Sequence, residues 1–486
     1  MQEVTVIGAG LGGLSAAIHL RLAGRAVTVF EAGPSVGGRA NRLEIGGLRF
    51  DTGPTLLNYP WVFEELFRAA GRDFHAAVEL RRIEPTVAYR WPDGTRLTLS
   101  SDFERLRQEF ERVEPGAGAR LVEFFHDAGE KFRIAFEKLV PRNEDRPLRY
   151  FAPLTARELV RTALWRSMYA ELRRFFRSRY LVEALGSYAM YLGGSPFELP
   201  GLFSILPYGE LAHGLWLPRG GIYALVEAIE ALARDLGVAI HTGCRVDRIL
   251  TQDGRVRGVR LADGQRHSSP IVVSNVDLPA TLETLLEWPA PPLKMSPSVL
   301  TFYWSVAELP AELGHHTIFL PRDYRSAFDQ LNRGTEVPAD PAFYVAAPGA
   351  SAQELRAAGA WPLFVLVPLP RLSRLGRTDW AEQRDRIRDA VLGRLRESGV
   401  ELSPSEILAE QVLTPEDWRR RFGLFDGSAF GAAHTLDQMG PFRPRNYSRR
   451  VRGLYFTGAS TTPGTGMPMV VLSGRLTAQR IAAHAC

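Results

Sequence analysis

Residues 4–39, VTVIGAGLGGLSAAIHLRLAGRAVTVFEAGPSVGGR, decide the fold. The apolar run Val4-Thr5-Val6-Ile7 reads as a buried parallel strand, and Gly8-x-Gly10-x-x-Gly13 follows it at once. A helix with Leu14, Ala17 and Ile18 on one face comes next, then a second strand, Val27-Thr28-Val29-Phe30, that ends in Glu31. The spacing is that of a βαβ dinucleotide-binding unit. Gly8 allows the tight turn, Gly10 lets the backbone approach a pyrophosphate, and Gly13 brings helix and strand together. The helix N-terminus then faces the phosphates, and Glu31 can accept from ribose hydroxyls. The expected contacts on this unit are Gly8, Gly10, Leu11, Gly12, Gly13, Glu31 and Ala32. A loop using glycine only for its backbone freedom would leave Glu31 unexplained.

Further along, Gly37-Gly38-Arg39 and Asp51-Thr52-Gly53-Pro54-Thr55 add glycine beside a cation, which suits a larger dinucleotide needing more backbone amides. At the opposite end Leu454-Tyr455-Phe456-Thr457-Gly458 is another strand running into a Gly/Pro-rich loop, and Gly466-Met467-Pro468 opens a helix. The same anion-binding geometry is therefore expected at both ends of the chain.

Composition sets outer bounds. A chain of 486 residues buries a large core and holds two domains or one large composite. Net charge is +5, and with only Lys131, Lys138 and Lys294 as lysines the basic charge is nearly all arginine. Two cysteines, Cys244 and Cys486, give neither a disulfide framework nor a metal spacing, so a reducing compartment is expected. Residues 4–20 are apolar but lack a basic segment before them, so they are not read as a signal peptide. No run of 18 apolar residues spans a membrane.

Between the terminal units, Thr86–Trp91 reads as a strand turned by Pro92-Asp93-Gly94. Residues 154–185 carry the longest helical pattern, with Val160, Leu164, Met168, Leu172, Phe176 and Tyr180 at spacing four. Arg157, Arg161, Arg166, Arg173, Arg174, Arg177 and Arg179 sit between them with Trp165, Tyr169 and Phe175, a pattern that fits either a solvated face or a surface resting on anionic lipid. Pro218-Arg219-Gly220-Gly221 starts a helix, and a β-meander runs from Val238 to about Asp277. Apolar strands follow at 299–306, 317–320, 343–347 and 363–368, then helical patterns at 378–398 and 404–422. The strands suit a sheet that walls off an apolar cavity, although a plain core would have the same composition.

These landmarks resemble the amine-oxidase-like flavoprotein superfamily and, more narrowly, the bacterial-type phytoene and carotenoid desaturases along essentially the whole chain. The resemblance is carried by the terminal glycine motifs and by Pro218-Arg219-Gly220-Gly221, His315-His316-Thr317-Ile318 and Phe343–Pro348. Leu366–Pro370, Phe425–Phe430, Phe442-Arg443-Pro444 and Pro463–Pro468 complete it. It implies FAD, held by the residues above together with Arg219, Gly220, Gly458, Gly466, Met467, Pro468 and the backbone of Val246. It also implies an α/β fold: a Rossmann-like FAD-binding domain (1–75, 206–290, 425–486) with an inserted α+β substrate domain (76–205, 291–424). Two departures are present: Thr462 stands where the family has histidine before Pro-Gly, and Gly349–Gln353 replaces a Thr-Asp-containing stretch.

The implied activity removes a hydride and a proton from an acyclic, phytoene-like carotenoid. The flavin supplies the hard chemistry, so no Ser/His/Asp set or carboxylate pair is required and none is found. The proton acceptor is not legible. His315-His316 lacks matching ligands for a metal, and neither a metal nor nucleic acid is expected. Oxygen and a quinone stay open as electron acceptors. Association with the inner face of the cell membrane, from the cytoplasm, follows from substrate insolubility. The alternatives are an isomerase, a saturase or a terminal-methyl oxidase acting on carotenoids, and a non-catalytic isoprenoid-binding flavoprotein. A soluble amine oxidase is a weaker rival, since no cage for an amine is evident.

Overall fold

A computed structural model describes residues 3–485; Cys486, counted above among the thiols, lies outside them. Glu3–Ile7 pairs in parallel with Ala26–Phe30 on one side and Ile271–Ser274 on the other. Ala239–His241 and Leu454–Phe456 close the two edges, giving a five-stranded parallel sheet from three distant parts of the chain. Both faces are buried, as parallel sheets require. Val4, Val6, Val29 and Val273 pack under helices Leu11–Leu22, Ile222–Asp235 and Met467–Ala485. Ile7, Phe30, Val272 and Phe456 face an antiparallel layer of Val246–Gln252, Arg255–Leu261 and Arg266–Ser268. Of the β-meander expected from Val238 to about Asp277, only these three middle strands form a separate sheet; the first and last join the parallel one.

The second sheet has seven strands, ordered Ile407–Leu413, Ser298–Val306, Trp361–Leu369, Phe343–Ala346, His316–Phe319, Val87–Arg90 and Arg96–Leu99. Alternation along its strands sorts the side chains onto two faces. Leu300, Phe302, Trp304, Phe343, Val345, Leu363, Val365 and Val367 pack under helix Trp380–Glu397 through Ile387, Val391 and Leu395. Val299, Tyr303, Ala346 and Phe364 turn the other way, toward Leu43, Phe50, Trp418 and Leu424.

Two expectations are corrected. Residues 404–422 are not one helix: Ile407–Leu413 is an edge strand paired to Ser298–Val306, and only Pro415–Phe422 is helical. The stretch 154–185 is not one helix either but three short ones, Ala156–Arg161, Met168–Leu172 and Arg179–Gly186. Ala163 adopts φ 50°, and Ser167 caps a fresh helix through the Ala170 amide. The break lets Glu171, fully buried, meet Lys131 Nζ at 2.7 Å, with Asp127 bound to the same ammonium. Arginines of this stretch then neutralise the carboxylates: Arg161 on Asp127 at 2.8 Å, Arg174 on Glu171 at 2.7 Å and Arg166 on Glu171 at 3.4 Å. Arg179 pairs with Asp93, Tyr169 stacks on Phe197, and Phe175 packs on Phe124. Much of the apparent basic stripe is thus internal electrostatics.

Candidate active site

One cavity of about 500 Å3 runs between the two sheets. Its polar end is made by the carboxyl ends of the parallel strands, where such folds place their ligands. Helix Leu11–Leu22 begins there at Gly10, with no side-chain cap and no acidic residue in its first turn, and Gly10, Leu11 and Gly12 line the cavity. A Cβ on Gly13 would lie 2.1 Å from the Gly8 carbonyl oxygen, so only glycine allows this helix to sit so close to its strand. Glu31 accepts from the Ala9 amide and the Gly33 amide, each at 2.7 Å. A carboxylate has lone pairs left after two such bonds, which fits a ribose diol. Helix Met467–Ala485 opens at the same end, behind Gly466, whose φ of 104° and open surroundings leave a cradle that a side chain would fill.

Charged side chains stiffen this end. The Arg39 guanidinium donates to the Ala429 carbonyl at 2.5 Å; burial lowers its pKa and the neighbouring Asp277 opposes that. Asp277 itself accepts from Ser460 and from the Phe425 amide, and burial raises its pKa. Arg443, from the Phe-Arg-Pro segment, is buried among carbonyls, donating to Thr461 at 2.8 Å, Ala432 at 3.1 Å and Ala459. It is pushed down to about 9, by burial first and against the pull of Asp277. That knot ties loop 457–465 to the preceding segment. The imidazole of His434 accepts from the Thr465 amide at 3.3 Å, so a histidine does reach the loop where Thr462 departs from the family pattern.

Of the residues expected to hold the dinucleotide, Gly10, Leu11, Gly12, Gly37, Gly38, Arg39, Gly53, Pro54, Thr55, Gly458, Gly466, Met467 and Pro468 line the cavity. Gly8, Gly13, Glu31 and Ala32 lie on the turn and strand behind its polar end. Arg219 and Gly220 do not come to it: Arg219 is an exposed partner of Glu79 at 3.0 Å. Its glycine pair instead starts helix Ile222–Asp235, whose first amides, Ile222 and Tyr223, bind the Asp51 carboxylate at 2.7 and 2.9 Å. Asp51 is therefore a helix cap, raised to about 6 by burial, against those two amide bonds. Val246 starts a strand of the antiparallel layer and packs there. Sequence reading missed Asn275, at the end of strand Ile271–Ser274, which is wedged between Gly10, Gly12 and Gly13. Its only signal was its place just past a parallel strand.

Beyond Thr55 the lining turns apolar. Val299, Ile318, Phe364, Leu366 and Pro368 come from one face of the seven-stranded sheet; Phe136, Leu139, Phe151, Leu164, Leu206 and Met439 come from the helical layer. Thr55 and Tyr344 interrupt this wall with hydroxyls: the Tyr344 hydroxyl lies 2.7 Å from Thr55 Oγ1 and, behind the wall, 2.5 Å from His316 Nδ1. Among the described residues no cluster of His, Cys, Asp and Glu could hold a metal.

The uncapped helix start, the Glu31 carboxylate and the Gly466 cradle fit the pyrophosphate, ribose and remaining backbone contacts of FAD, and the fold and site together define an FAD-dependent oxidoreductase. The family described as flavin containing amine oxidoreductase matches over residues 11–482. The chain is 39% identical to the zeta-carotene-forming phytoene desaturase of Myxococcus xanthus, over 99% of its own length and 94% of the relative's. It is 35% identical to a 4,4'-diapolycopene oxygenase of Methylomonas, over 99% and 98%. A solved oxidoreductase from Methanosarcina mazei shares the fold with a TM-score of 0.62 at 20% identity, over 98% and 99% of the two chains. The chain belongs to the flavin containing amine oxidoreductases, among the relatives of the bacterial carotenoid desaturases.

Proposed function

We propose that the protein is an FAD-dependent desaturase that introduces conjugated double bonds into an acyclic, phytoene-like carotenoid. The observation that carries this is the cavity itself, which joins a dinucleotide-binding end to a long wall of aliphatic and aromatic side chains. A polyene offers no hydrogen-bonding handle, so shape and apolar contact must hold it. Bound FAD supplies the acceptor for a hydride. The chain contributes orientation along the sheet face, exclusion of water by Phe136, Phe151, Phe364 and their neighbours, and a rigid polar end. An amine substrate is disfavoured: among the described residues Asp277 is the one carboxylate on the cavity wall, and it is bonded to Ser460 and beside Arg39. The Myxococcus relative's name supports desaturation, while that of the Methylomonas relative favours oxidation of a carotenoid end as the second reading. Anaerobic mixing of the FAD-loaded protein with phytoene-bearing liposomes tests this. Flavin bleaching with a longer polyene chromophore supports the desaturase; bleaching without one points to the second reading.

We further propose that the protein rests on the inner face of the cell membrane. Leu148, Val160, Trp165 and Phe442 are 90%, 61%, 58% and 50% exposed, on segments 147–165 and 436–442 that also line the far end of the cavity. Exposed Arg146, Arg149 and Arg157 stand among them without a carboxylate partner among the described residues. Apolar side chains ringed by arginine suit insertion at an anionic bilayer surface, and among the described residues no helix is long and apolar enough to cross one. Flotation with anionic and neutral liposomes at low salt tests it. Equal binding to both, or full binding by Leu148→Asp/Trp165→Asp, would sink the proposal.

A further inference from the structure

Desaturation leaves a proton to be removed, and the cavity wall holds few groups able to take it. Tyr150 donates to the Leu139 carbonyl at 3.1 Å, and Asp277 is engaged by Ser460 and Arg39. His434 is already accepting from the Thr465 amide at 3.3 Å. Tyr191 also lines the wall, but its hydroxyl has no hydrogen-bond partner to which a proton could pass; Tyr344 has one on each side. On its strand it stands opposite Ile318, and His316 stands opposite Ala346, so the two are diagonal neighbours on the face of the sheet that meets the cavity. Its hydroxyl bridges Thr55, just past the Gly53-Pro54 loop, and His316 Nδ1. His316 is 2% exposed, and its Nε2 has no hydrogen-bond partner. The adjoining His315 ring, 4.2 Å away centre to centre, also keeps an unpartnered Nδ1. Burying a phenol on the wall of a cavity for a hydrocarbon, with two imidazoles buried behind it, is costly without a use.

We propose that Tyr344 is the catalytic residue that takes the substrate proton, and that His316 acts through it as the positioning partner that receives the phenolic proton. The assignment rests on the desaturase reading. When a hydride has left an allylic carbon with its electron pair, taken up by FAD as oxidant, the adjacent carbon carries an acidic C–H. That C–H bond breaks, its electron pair becomes the new C=C bond, and the proton goes to Tyr344 Oη. The hydroxyl's original proton passes to His316 Nδ1, so the positive charge moves from the polyene to the imidazole, and Tyr344 stays neutral. Thr55 donates to Oη and leaves one lone pair for the substrate. Burial holds His316, and His315 beside it, well below the usual histidine range, so the site rests neutral and can bind an apolar chain; an allylic cation is still a far stronger acid than the imidazolium it creates.

The test compares the FAD-loaded wild type with Tyr344→Phe and His316→Asn. An asparagine amide oxygen can hold the Tyr344 hydroxyl but cannot take its proton. Both variants should retain FAD and bind a fully conjugated carotenoid as the wild type does, read by quenching of tryptophan fluorescence, while product formation falls about 100-fold or more. The wild-type rate should drop in D2O, and the residual Tyr344→Phe rate should not. Independently of turnover, the flavin-free protein should show a downfield proton resonance for the short Tyr344–His316 hydrogen bond, lost in Tyr344→Phe. A wild-type-like rate in Tyr344→Phe, recovery of full rate by His316→Asn, or absence of that resonance each overturns the relay while leaving the desaturase reading intact. A wild type that forms no product from any acyclic carotenoid overturns the desaturase reading and the relay together.

Discussion

Glu210 offers a sharp test of the packing between the two sheets. It lies on helix Ile205–His213 with no exposed surface, takes the Tyr188 hydroxyl at 2.7 Å, and leaves its second oxygen without a partner. The groups that face or sense it are phenols and a hydroxyl, Tyr188, Tyr191, Tyr59, Tyr89, Tyr344 and Thr86, and no cation is among them. Burial, the largest cause, raises the carboxyl from 4.5 to about 7, against the Tyr188 hydroxyl bond that lowers it. Between those two values the folded protein keeps a proton that the unfolded chain has released. Stability therefore falls as pH rises through this window and levels off above about 7. At about 1.36 kcal/mol per pH unit the interval amounts to about 3 kcal/mol, most of it between pH 5 and 8. Glu210→Gln is neutral at every pH and still accepts from Tyr188. Urea unfolding of both proteins with saturating FAD should show them nearly equal at pH 5, with the variant more stable by about 3 kcal/mol at pH 8. Other titrating groups, such as Asp51, are common to both and cancel. Parallel pH curves, or a variant less stable at pH 8, would show that the carboxyl is ionised in the folded core and would refute the argument.

At the dinucleotide end, Gly13→Ala places a Cβ 2.1 Å from the Gly8 carbonyl; helix and strand must separate, and FAD affinity should fall about 100-fold with the circular dichroism unchanged. Full FAD retention after gel filtration would count against that reading. In the helical layer, Lys131→Met removes the buried ammonium shared by Asp127 and Glu171 and leaves those carboxylates only the partly exposed Arg161, Arg166 and Arg174. It should cost about 3 kcal/mol and lower Tm by about 5 °C or more, which calorimetry reads directly. On the acid side, His19 and His315 are lowered to about 4, and His316 and His434 well below 6.5, chiefly by burial. Their stabilising effect is present above 6.5 and is lost as pH falls toward about 4, so His19→Gln should flatten the acid limb of the stability curve by about one proton near pH 5.

What was legible in the sequence was whatever a single turn or strand–turn–helix unit settles locally. Gly8 to Gly13 with Glu31 states a mechanism within a short stretch, and Gly466-Met467 announces a helix start in the same way. Arg219 misled because a glycine pair beside a cation looks alike whether it cradles a phosphate or starts a helix; the difference lies in Asp51, 171 residues from the amide it binds. The stripe from Val160 to Tyr180 kept its spacing through two breaks, and the residues that open new helices there, Ser167 and Ser178, were the signal against a continuous one. Likewise Ile407–Leu413 alternates weakly because it is a half-exposed edge strand, and its helical reading was overruled only by pairing with Ser298–Val306. The contact of Thr55 with Tyr344, 289 residues apart, has no local pattern at all.

That long-range contact also explains why the reactive end of the cavity sits where the two sheets are stitched together. Tyr303 Oη donates to the Thr52 carbonyl at 2.5 Å, Thr55 meets Tyr344 at 2.7 Å, and Arg39 reaches the Ala429 carbonyl. The first two bonds join the loop after Asp51 to strands of the seven-stranded sheet, and the third ties Arg39 to the turn at Ala429. Since side chains alternate along a strand, a one-residue slip of Phe343–Ala346 against His316–Phe319 would turn Tyr344 away from the cavity and break its bond to His316 together with its bond to Thr55. Register in the seven-stranded sheet thus fixes, in one step, where the dinucleotide end stops, where the apolar wall starts, and which hydroxyl stands between them.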